Sequence, residues 1–234
     1  MNFQNSYKNK KVLVTGHTGF KGSWLTIWLL ELGAEVIGYS LDPKNSNDLF
    51  NLSKIGNKIL DYRKDIRQLN ELISVIDIEK PEIVFHLAAQ PLVLESYNTP
   101  LYTFETNTIG TLNVLEAIRL TNSVITAIFI TTDKVYENKE WIWPYREDEQ
   151  IGGYDPYSAS KGACELIISS YRNSFFNAKN SNSHQVSIAS ARAGNVIGGG
   201  DWSSNRIIPD CIKAIQDRHE IHLRNPEATR PWQH

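Results

Sequence analysis

Lys11-Val12-Leu13-Val14-Thr15-Gly16-His17-Thr18-Gly19-Phe20-Lys21-Gly22 is a short apolar run that ends on glycine and meets two more glycines at intervals of three. An apolar run bounded this way reads as a strand buried on both faces. The next residues, Ser23-Trp24-Leu25-Thr26-Ile27-Trp28-Leu29-Leu30-Glu31-Leu32, predict a helix that stops at Gly33. Strand, glycine turn and helix in that order open an α/β sheet. The spacing G-x-x-G-x-x-G departs from the commoner G-x-G-x-x-G, but it meets the same demand: backbone close enough to touch a pyrophosphate at the positive end of a helix. A dinucleotide is therefore expected on Gly16, Thr18, Gly19, Phe20, Lys21 and Gly22. The alternative is a turn in which glycine only lets helix and strand pack.

Downstream, residues 35–39 read as a second strand, and the group that grips the adenosine ribose is expected near its end. Asp42, twenty positions after Gly22, would accept from the ribose hydroxyls and repel a 2′-phosphate. No arginine follows this strand in sequence, which favours NAD over NADP; Lys44 keeps the other choice alive. Asp42 is otherwise a turn residue before Pro43. Residues 58–62 give a third strand, after which Asp65 and Ile66 could hold an adenine ring, or Asp65 could cap a helix. Residues 81–89 read as the fourth strand, whose small Ala88 and Ala89, with Leu87, let backbone approach the cofactor ribose. His86 on that strand reads as a core residue rather than a catalyst. Residues 103–120 form a helix with an apolar face, in which Asn107 is either surface or bonded to neighbouring backbone. Residues 124–131 form the fifth strand. Residues 136–156, rich in Trp, Gly and acid, read as a loop folded over the site. Residues 157–176 are a helix and residues 185–191 a sixth strand, with an exposed polar loop at 177–183.

Alternating strands and helices predict a doubly wound, mostly parallel Rossmann sheet over residues 1–192, with residues 193–234 beginning a smaller substrate-binding domain.

Tyr157 and Lys161 stand four residues apart at the start of a helix and so share a face. Thr132, Asp133 and Lys134 end the fifth strand, where parallel sheets bind ligands. Tyr157 is expected to act as the base that removes a hydroxyl proton, its phenol lowered by the Lys161 ammonium and by the nicotinamide charge. Thr132 would hold the same oxygen. Without Tyr157 and Lys161, Asp133 and Lys134 would read as a capped strand end with a surface lysine.

The composition places the chain among ordinary globular proteins: 234 residues, 41% hydrophobic, 21% charged, formal charge −2. There is no basic stripe for a nucleic acid or an anionic membrane, so a small-molecule partner is expected. Cys164 and Cys211 form no disulfide or zinc pattern, and no metal site is expected. The polar N-terminus and the lack of a long apolar run read as cytoplasmic. The apolar character of the helices at 103–120 and 157–176 makes them candidates for a homodimer seam.

These motifs resemble the extended short-chain dehydrogenase/reductase superfamily. The strings at 14–24, Gly153-Tyr154-Asp155-Pro156-Tyr157-Ser158, Arg192-Ala193-Gly194-Asn195-Val196-Ile197-Gly198-Gly199-Gly200-Asp201-Trp202 and Arg230-Pro231-Trp232-Gln233-His234 are similar to the CDP-glucose 4,6-dehydratase family. The resemblance implies NAD-dependent conversion of CDP-glucose to CDP-4-keto-6-deoxyglucose, on a bacterial route to dideoxy sugars of surface polysaccharide. It also implies substrate contacts from Asn195, Asp201, Trp202, Arg206 and Arg230. Asp133 would be the acid at C6 and Lys134 the group at C5, where the related dTDP-glucose enzymes carry glutamate. Members of that family continue beyond the Arg-Pro-Trp-Gln-His string, so the chain is expected to stop inside its second domain. A 4-epimerase or ketone reductase on the same scaffold, or a non-catalytic NAD-binding regulator, are the competing readings.

Overall fold

The computed structural model describes residues 5–177, 186–223 and 225–234. The sequence readings at residues 1–4, 178–183 and 185 lie outside them. The elements run β1 (Lys11–Thr15), α1 (Phe20–Glu31), β2 (Glu35–Ser40), α2 (Leu49–Ser53), β3 (Leu60–Arg63), α3 (Leu69–Glu79), β4 (Ile83–His86), α4 (Val93–Asn98), α5 (Pro100–Phe104), a π turn (Glu105–Ile109), α6 (Gly110–Leu120), β5 (Thr126–Ile130), α7 (Pro156–Ser174), β6 (Ser187–Ala191), β7 (Asn195–Val196), α8 (Ile207–Gln216) and β8 (Trp232–Gln233). The first six strands pair in the order β3-β2-β1-β4-β5-β6, and every pairing is parallel. The order reverses between β1 and β4, which opens a crevice at their carboxyl ends. β7 and β8 make a separate two-stranded sheet, with Asn195 opposite Trp232.

Side chains of a strand alternate between faces, and β1 shows what that does here. Leu13 joins Ile37, Leu72, Ile76, Val84, Leu115, Phe129 and Ile168 in a core on one face. Val12 and Val14 join Leu29, Val36 and Phe85 in a core on the other. Each of these side chains, once out of water, contributes on the order of 1.5–3 kcal/mol. The sheet is therefore covered on both sides, which fixes the crevice as the open edge.

Several boundaries differ from the sequence reading. α1 starts at Phe20 rather than Ser23, so Gly22 is helical. β3 begins at Leu60 because Lys54, left-handed at φ 54°, ends α2 and starts a 3₁₀ turn at Ile55–Lys58. β4 stops at His86, which leaves Leu87, Ala88 and Ala89 in the crevice wall. The helix expected over 103–120 is a longer rod begun at Pro100 and widened by the π turn around Asn107. Among the described residues no helix is long and apolar enough to cross a membrane.

Candidate active site

The glycine loop passes Ala88 so closely that only glycine fits at its first position. Gly16 sits at φ +76°, and a Cβ there would lie 2.7 Å from the Ala88 nitrogen. At Gly22 a Cβ would lie 2.0 Å from the Gly16 carbonyl oxygen, so the first turn of α1 rests directly on the loop. Gly19, the N-cap just before α1, is different: a Cβ there would meet only the Gly16 oxygen, at 3.3 Å. Two glycines thus close the loop onto the sheet, and the third leaves its outer side open at the positive end of a helix. This shape fits a dinucleotide pyrophosphate. Thr18 ties the loop to the end of β2 through Ser40 Oγ (2.8 Å) and Leu41 O (2.9 Å). The Leu87 and Ala88 nitrogens both donate to Thr15 Oγ1 at 3.2 Å.

Of the groups expected around the adenosine, Asp42 stands on the surface at the end of β2, 3.7 Å from Arg63 Nη1. The reading that no arginine accompanies it is corrected here: Arg63 arrives from β3, which no scan along β2 could show. Both carboxylate oxygens of Asp65 are engaged by Arg67, at 2.7 Å from Nη2 and 3.1 Å from Nε. Those hydrogen bonds hold the Asp65 carboxyl below its usual range. Asp65 is not a helix cap, since α3 is preceded by Gln68. Ile66 is buried in the core against Gly110, which turns its side chain from the crevice toward α6.

At the other end of the crevice Asp155 caps α7, accepting from Ser158 N at 2.9 Å, with Pro156 in the first turn. The cap fixes the helix start, so Tyr157 and Lys161 project toward the end of β5. Thr132 stands beside the Tyr157 phenol in the cleft wall. The expected lowering of that phenol is corrected. Burial pushes it up to about 12, and the Thr132 hydrogen bond and the Arg206 charge oppose the rise only in part. Lys161 Nζ donates to Ile130 O at 3.0 Å. Burial also drives the Lys161 ammonium below its ordinary value.

Asp133 and Lys134 lie in a 3₁₀ turn (Asp133–Val135) capped by Thr132. Lys134 Nζ is 3.3 Å from Asp133 Oδ1 and 3.2 Å from Asn195 Oδ1, while Thr132 Oγ1 donates to Asp133 Oδ1 at 3.0 Å. Thr132, Lys134 and Asn195 line a cleft of about 1150 Å³ whose walls also include Lys21 and Tyr157. Asp201, Trp202, Arg206 and Arg230 line it as well, and Arg206 Nη1 donates to Asp201 at 2.8 Å. The Trp202 indole nitrogen is buried and has no hydrogen-bond partner among the described residues. Lys21 falls to about 8, from burial first and then from repulsion by Lys161, Arg206 and Lys134. By surface area Lys21 is exposed, so repulsion by three cations is the firmer cause. The cleft is thus cationic, suited to an anionic diphosphate.

The loop at 136–156 does not fold over this cleft, and none of its residues lines the wall. It closes on itself through a bridge between Tyr136 and Ile151 and a stack of Tyr136 on Tyr145 at 5.1 Å. His86 is a core residue: Nδ1 lies 2.7 Å from Thr15 Oγ1, Nε2 lies 3.1 Å from Thr111 Oγ1, and burial pushes its pKa to about 3. Asn107 is buried, not on the surface. It bonds both polar groups of the Gln90 backbone and, at 2.9 Å, Ser160 Oγ on α7.

Sequence reading missed the pair that holds these parts together. Glu165, one turn past Lys161 and 5% exposed, accepts from Thr131 Oγ1, Ser190 Oγ and Arg192 Nε. Arg192 also donates to Tyr136 Oη and Glu147 O at 2.8 Å each. Burial would raise the Glu165 pKa, but hydrogen bonds from Arg192, Thr131 and Ser190 outweigh it and hold the carboxyl below its usual range. Glu165→Ala leaves the Arg192 cation without its carboxylate and should cost about 3–5 kcal/mol of stability. A depressed folded-state pKa contributes stability above the ordinary carboxylate range and loses it as pH falls through the folded value. Urea unfolding at neutral and acid pH should show the difference between native and variant shrink as pH falls. A constant difference would count against this account.

Comparison with known proteins places the site in context. Residues 13–234 match the family model described as GDP-mannose 4,6 dehydratase. The chain is 50% identical to CDP-glucose 4,6-dehydratase of Salmonella typhimurium (strain LT2), covering 99% of this chain and 64% of that protein. It is 36% identical to CDP-paratose 2-epimerase of Salmonella typhi, covering 70% of this chain and 54% of that protein. The chain thus spans less than two thirds of the length of either. UDP-glucose 4-epimerase of Thermotoga maritima, solved with UDP-glucose, superposes with a TM-score of 0.82 at 25% identity, over 95% of this chain and 68% of that one. A dTDP-glucose 4,6-dehydratase from Streptomyces venezuelae with NAD bound shares the fold, with a TM-score of 0.78 at 23% identity, over 94% of this chain and 67% of that one.

Proposed function

We propose that this chain, which belongs to the GDP-mannose 4,6 dehydratase family, carries the catalytic half of an NAD-dependent CDP-glucose 4,6-dehydratase. The observation that carries this reading is the Asp133–Lys134 ion pair, 3.3 Å across, beside Thr132 and Tyr157. A 4-epimerase or reductase needs the hydroxyl and the phenol, but no acid and base one residue farther along. Identity of 50% over 99% of the chain to a CDP-glucose enzyme supports the nucleotide.

Removing water across C5 and C6 of a hexose requires a ketone at C4, because only then is the C5 hydrogen acidic. NAD, held on Gly16, Thr18, Gly19 and Gly22 with its ribose toward Asp42, would supply the oxidising and later the reducing equivalent. Tyr157 removes the C4 hydroxyl proton, and Thr132 holds that oxygen in place. The Asp133–Lys134 pair carries one mobile proton. Passing it from Nζ to the carboxylate, across 3.3 Å, gives a neutral amine and a carboxylic acid together. Lys134 then takes the C5 proton while Asp133 protonates the departing C6 hydroxyl. Lys134, recharged, returns its proton to C5. Asn195, the Asp201–Arg206 pair, Trp202 and Arg230 would bind the nucleotide sugar, with residues 193–234 opening the substrate domain beyond a cofactor domain at 1–192.

The active form is a homodimer, working in the cytoplasm on a soluble nucleotide sugar. Leu101 and Leu166, 72% and 64% exposed on α5 and α7, give the seam its apolar surface.

The test is product analysis of the full-length protein with CDP-glucose labelled by deuterium at C4, in ordinary and in deuterated water. The label should appear at C6 of a 4-keto-6-deoxy sugar, and one solvent deuterium should appear at C5. Inversion at C4 with the hydroxyl at C6 retained would replace this reading with an epimerase.

A further inference from the structure

The end of β2 carries more than the Asp42 carboxylate. Arg63 is the last residue of β3 and lies opposite Ser40 in the parallel register. Its Nη2 donates to Asp61 Oδ2 at 2.7 Å, and its Nη1 reaches Leu41 O at 3.5 Å and lies 3.7 Å from Asp42 Oδ1. The guanidinium carbon stands 4.6 Å from the centre of the Phe50 ring. The other oxygen of Asp61 is held by His17 Nε2 at 2.9 Å, and Leu41 O also accepts from Thr18 Oγ1 of the glycine loop. Arg63 is therefore fixed from three sides and tied to the loop itself. The Asp42 side chain is 85% exposed and free to turn into solvent.

We propose that Arg63 is a specificity-determining residue of the cofactor cradle, giving this chain a foothold for the 2′-phosphate of NADP where Asp42 alone would exclude it. The inference rests on the reading of the glycine loop as an NAD cradle. A carboxylate at this place accepts from the ribose hydroxyls and repels a phosphate. A planar guanidinium beside it, already oriented, donates to a phosphate in matched pairs. Because the fork is held by Asp61 and Phe50 beforehand, ordering it costs a ligand little. Discrimination between the two cofactors is accordingly narrow.

Calorimetric titration of the full chain with 5′-ADP and 2′,5′-ADP, followed by NAD and NADP, tests this without any turnover. The native chain should bind 2′,5′-ADP within about tenfold of 5′-ADP. Arg63→Met keeps the apolar stem on Phe50; it should weaken 2′,5′-ADP and NADP by about tenfold or more relative to 5′-ADP and NAD, the scale of one charged hydrogen bond. Asp42→Asn should tighten the 2′-phosphate ligands. If the Met variant fails to fold by circular dichroism, Arg63→Lys substitutes a point charge for the fork and should still weaken the 2′-phosphate ligands selectively. A native chain that binds 5′-ADP but not 2′,5′-ADP, or a variant that loses both alike, overturns the proposal and leaves the cradle standing. Failure to bind 5′-ADP at all overturns the cradle with it.

Discussion

Tyr157→Phe should slow oxidation at C4 by about 10²–10⁴, the usual worth of a positioned acid–base group, and leave the affinity for NAD unchanged. The separation follows from where the two functions sit. The pyrophosphate cradle is closed by Gly16 against Ala88 and by Gly22 against Gly16, contacts to which Tyr157 contributes nothing. The phenol faces Thr132 at the end of β5. Because burial pushes the phenol up to about 12, the native C4 oxidation should rise with pH through the neutral range, as more of the phenol gives up its proton. In the Phe variant that slope should vanish along with the rate. Thr132→Val removes the hydrogen bond that lowers the phenol, so its rise should move to higher pH. Quenching with borodeuteride captures the 4-keto sugar as a labelled hexose and measures the step directly. Tryptophan fluorescence, with Trp24 and Trp28 on α1 beside the loop, measures cofactor binding. Native C4 oxidation in Tyr157→Phe, or loss of NAD from it, would show that the site is elsewhere.

What the sequence made legible was local. The strand, the three glycines and the helix of residues 11–31 are neighbours in the chain, and their apolar period and breakers announce them. Tyr157 and Lys161 share a helical turn, and Asp133 and Lys134 are adjacent, so their grouping also survives in one dimension. What could not be read is what the sheet register brings together. Arg63 reaches Asp42 because β2 and β3 run parallel with Ser40 opposite Arg63. Glu165 meets Arg192 because α7 crosses beside the end of β6. Neither pair has a spacing that betrays it. The phenol of Tyr157 shows a different limit: a nearby lysine in sequence suggested a lowered pKa, but burial decides the sign. The loop at 136–156 has no period to read, and three of its aromatic residues, Tyr136, Trp141 and Tyr145, pack on each other instead of lining the cleft.

Asp133→Asn separates dehydration from every other use of this scaffold, because it should leave C4 oxidation at its native rate and slow the loss of water by about 10²–10⁴. Asparagine keeps the shape of the side chain and can still accept from Thr132. It cannot take the proton that Lys134 must shed, so one substitution removes the acid at C6 and keeps the amine at C5 charged. The 4-keto sugar with its C6 hydroxyl intact should therefore build up, a species that native enzyme passes through too quickly to collect. Lys134→Met should give the same accumulation, since it removes both the base at C5 and the group from which Asp133 draws its proton. Rapid mixing of each full-length variant with CDP-glucose, quenched in borodeuteride at intervals, would resolve the 4-keto hexose from the 6-deoxy product. Deuterium exchange at C5 checks the base in both variants: with its lysine kept charged, Asp133→Asn should exchange slowly, as should Lys134→Met, which has no amine. If Asp133→Asn loses water at the native rate, the carboxylate is not the acid. If it folds and binds NAD but fails to oxidise C4, Asp133 acts before the ketone exists, and the shared-proton account of the pair falls with it.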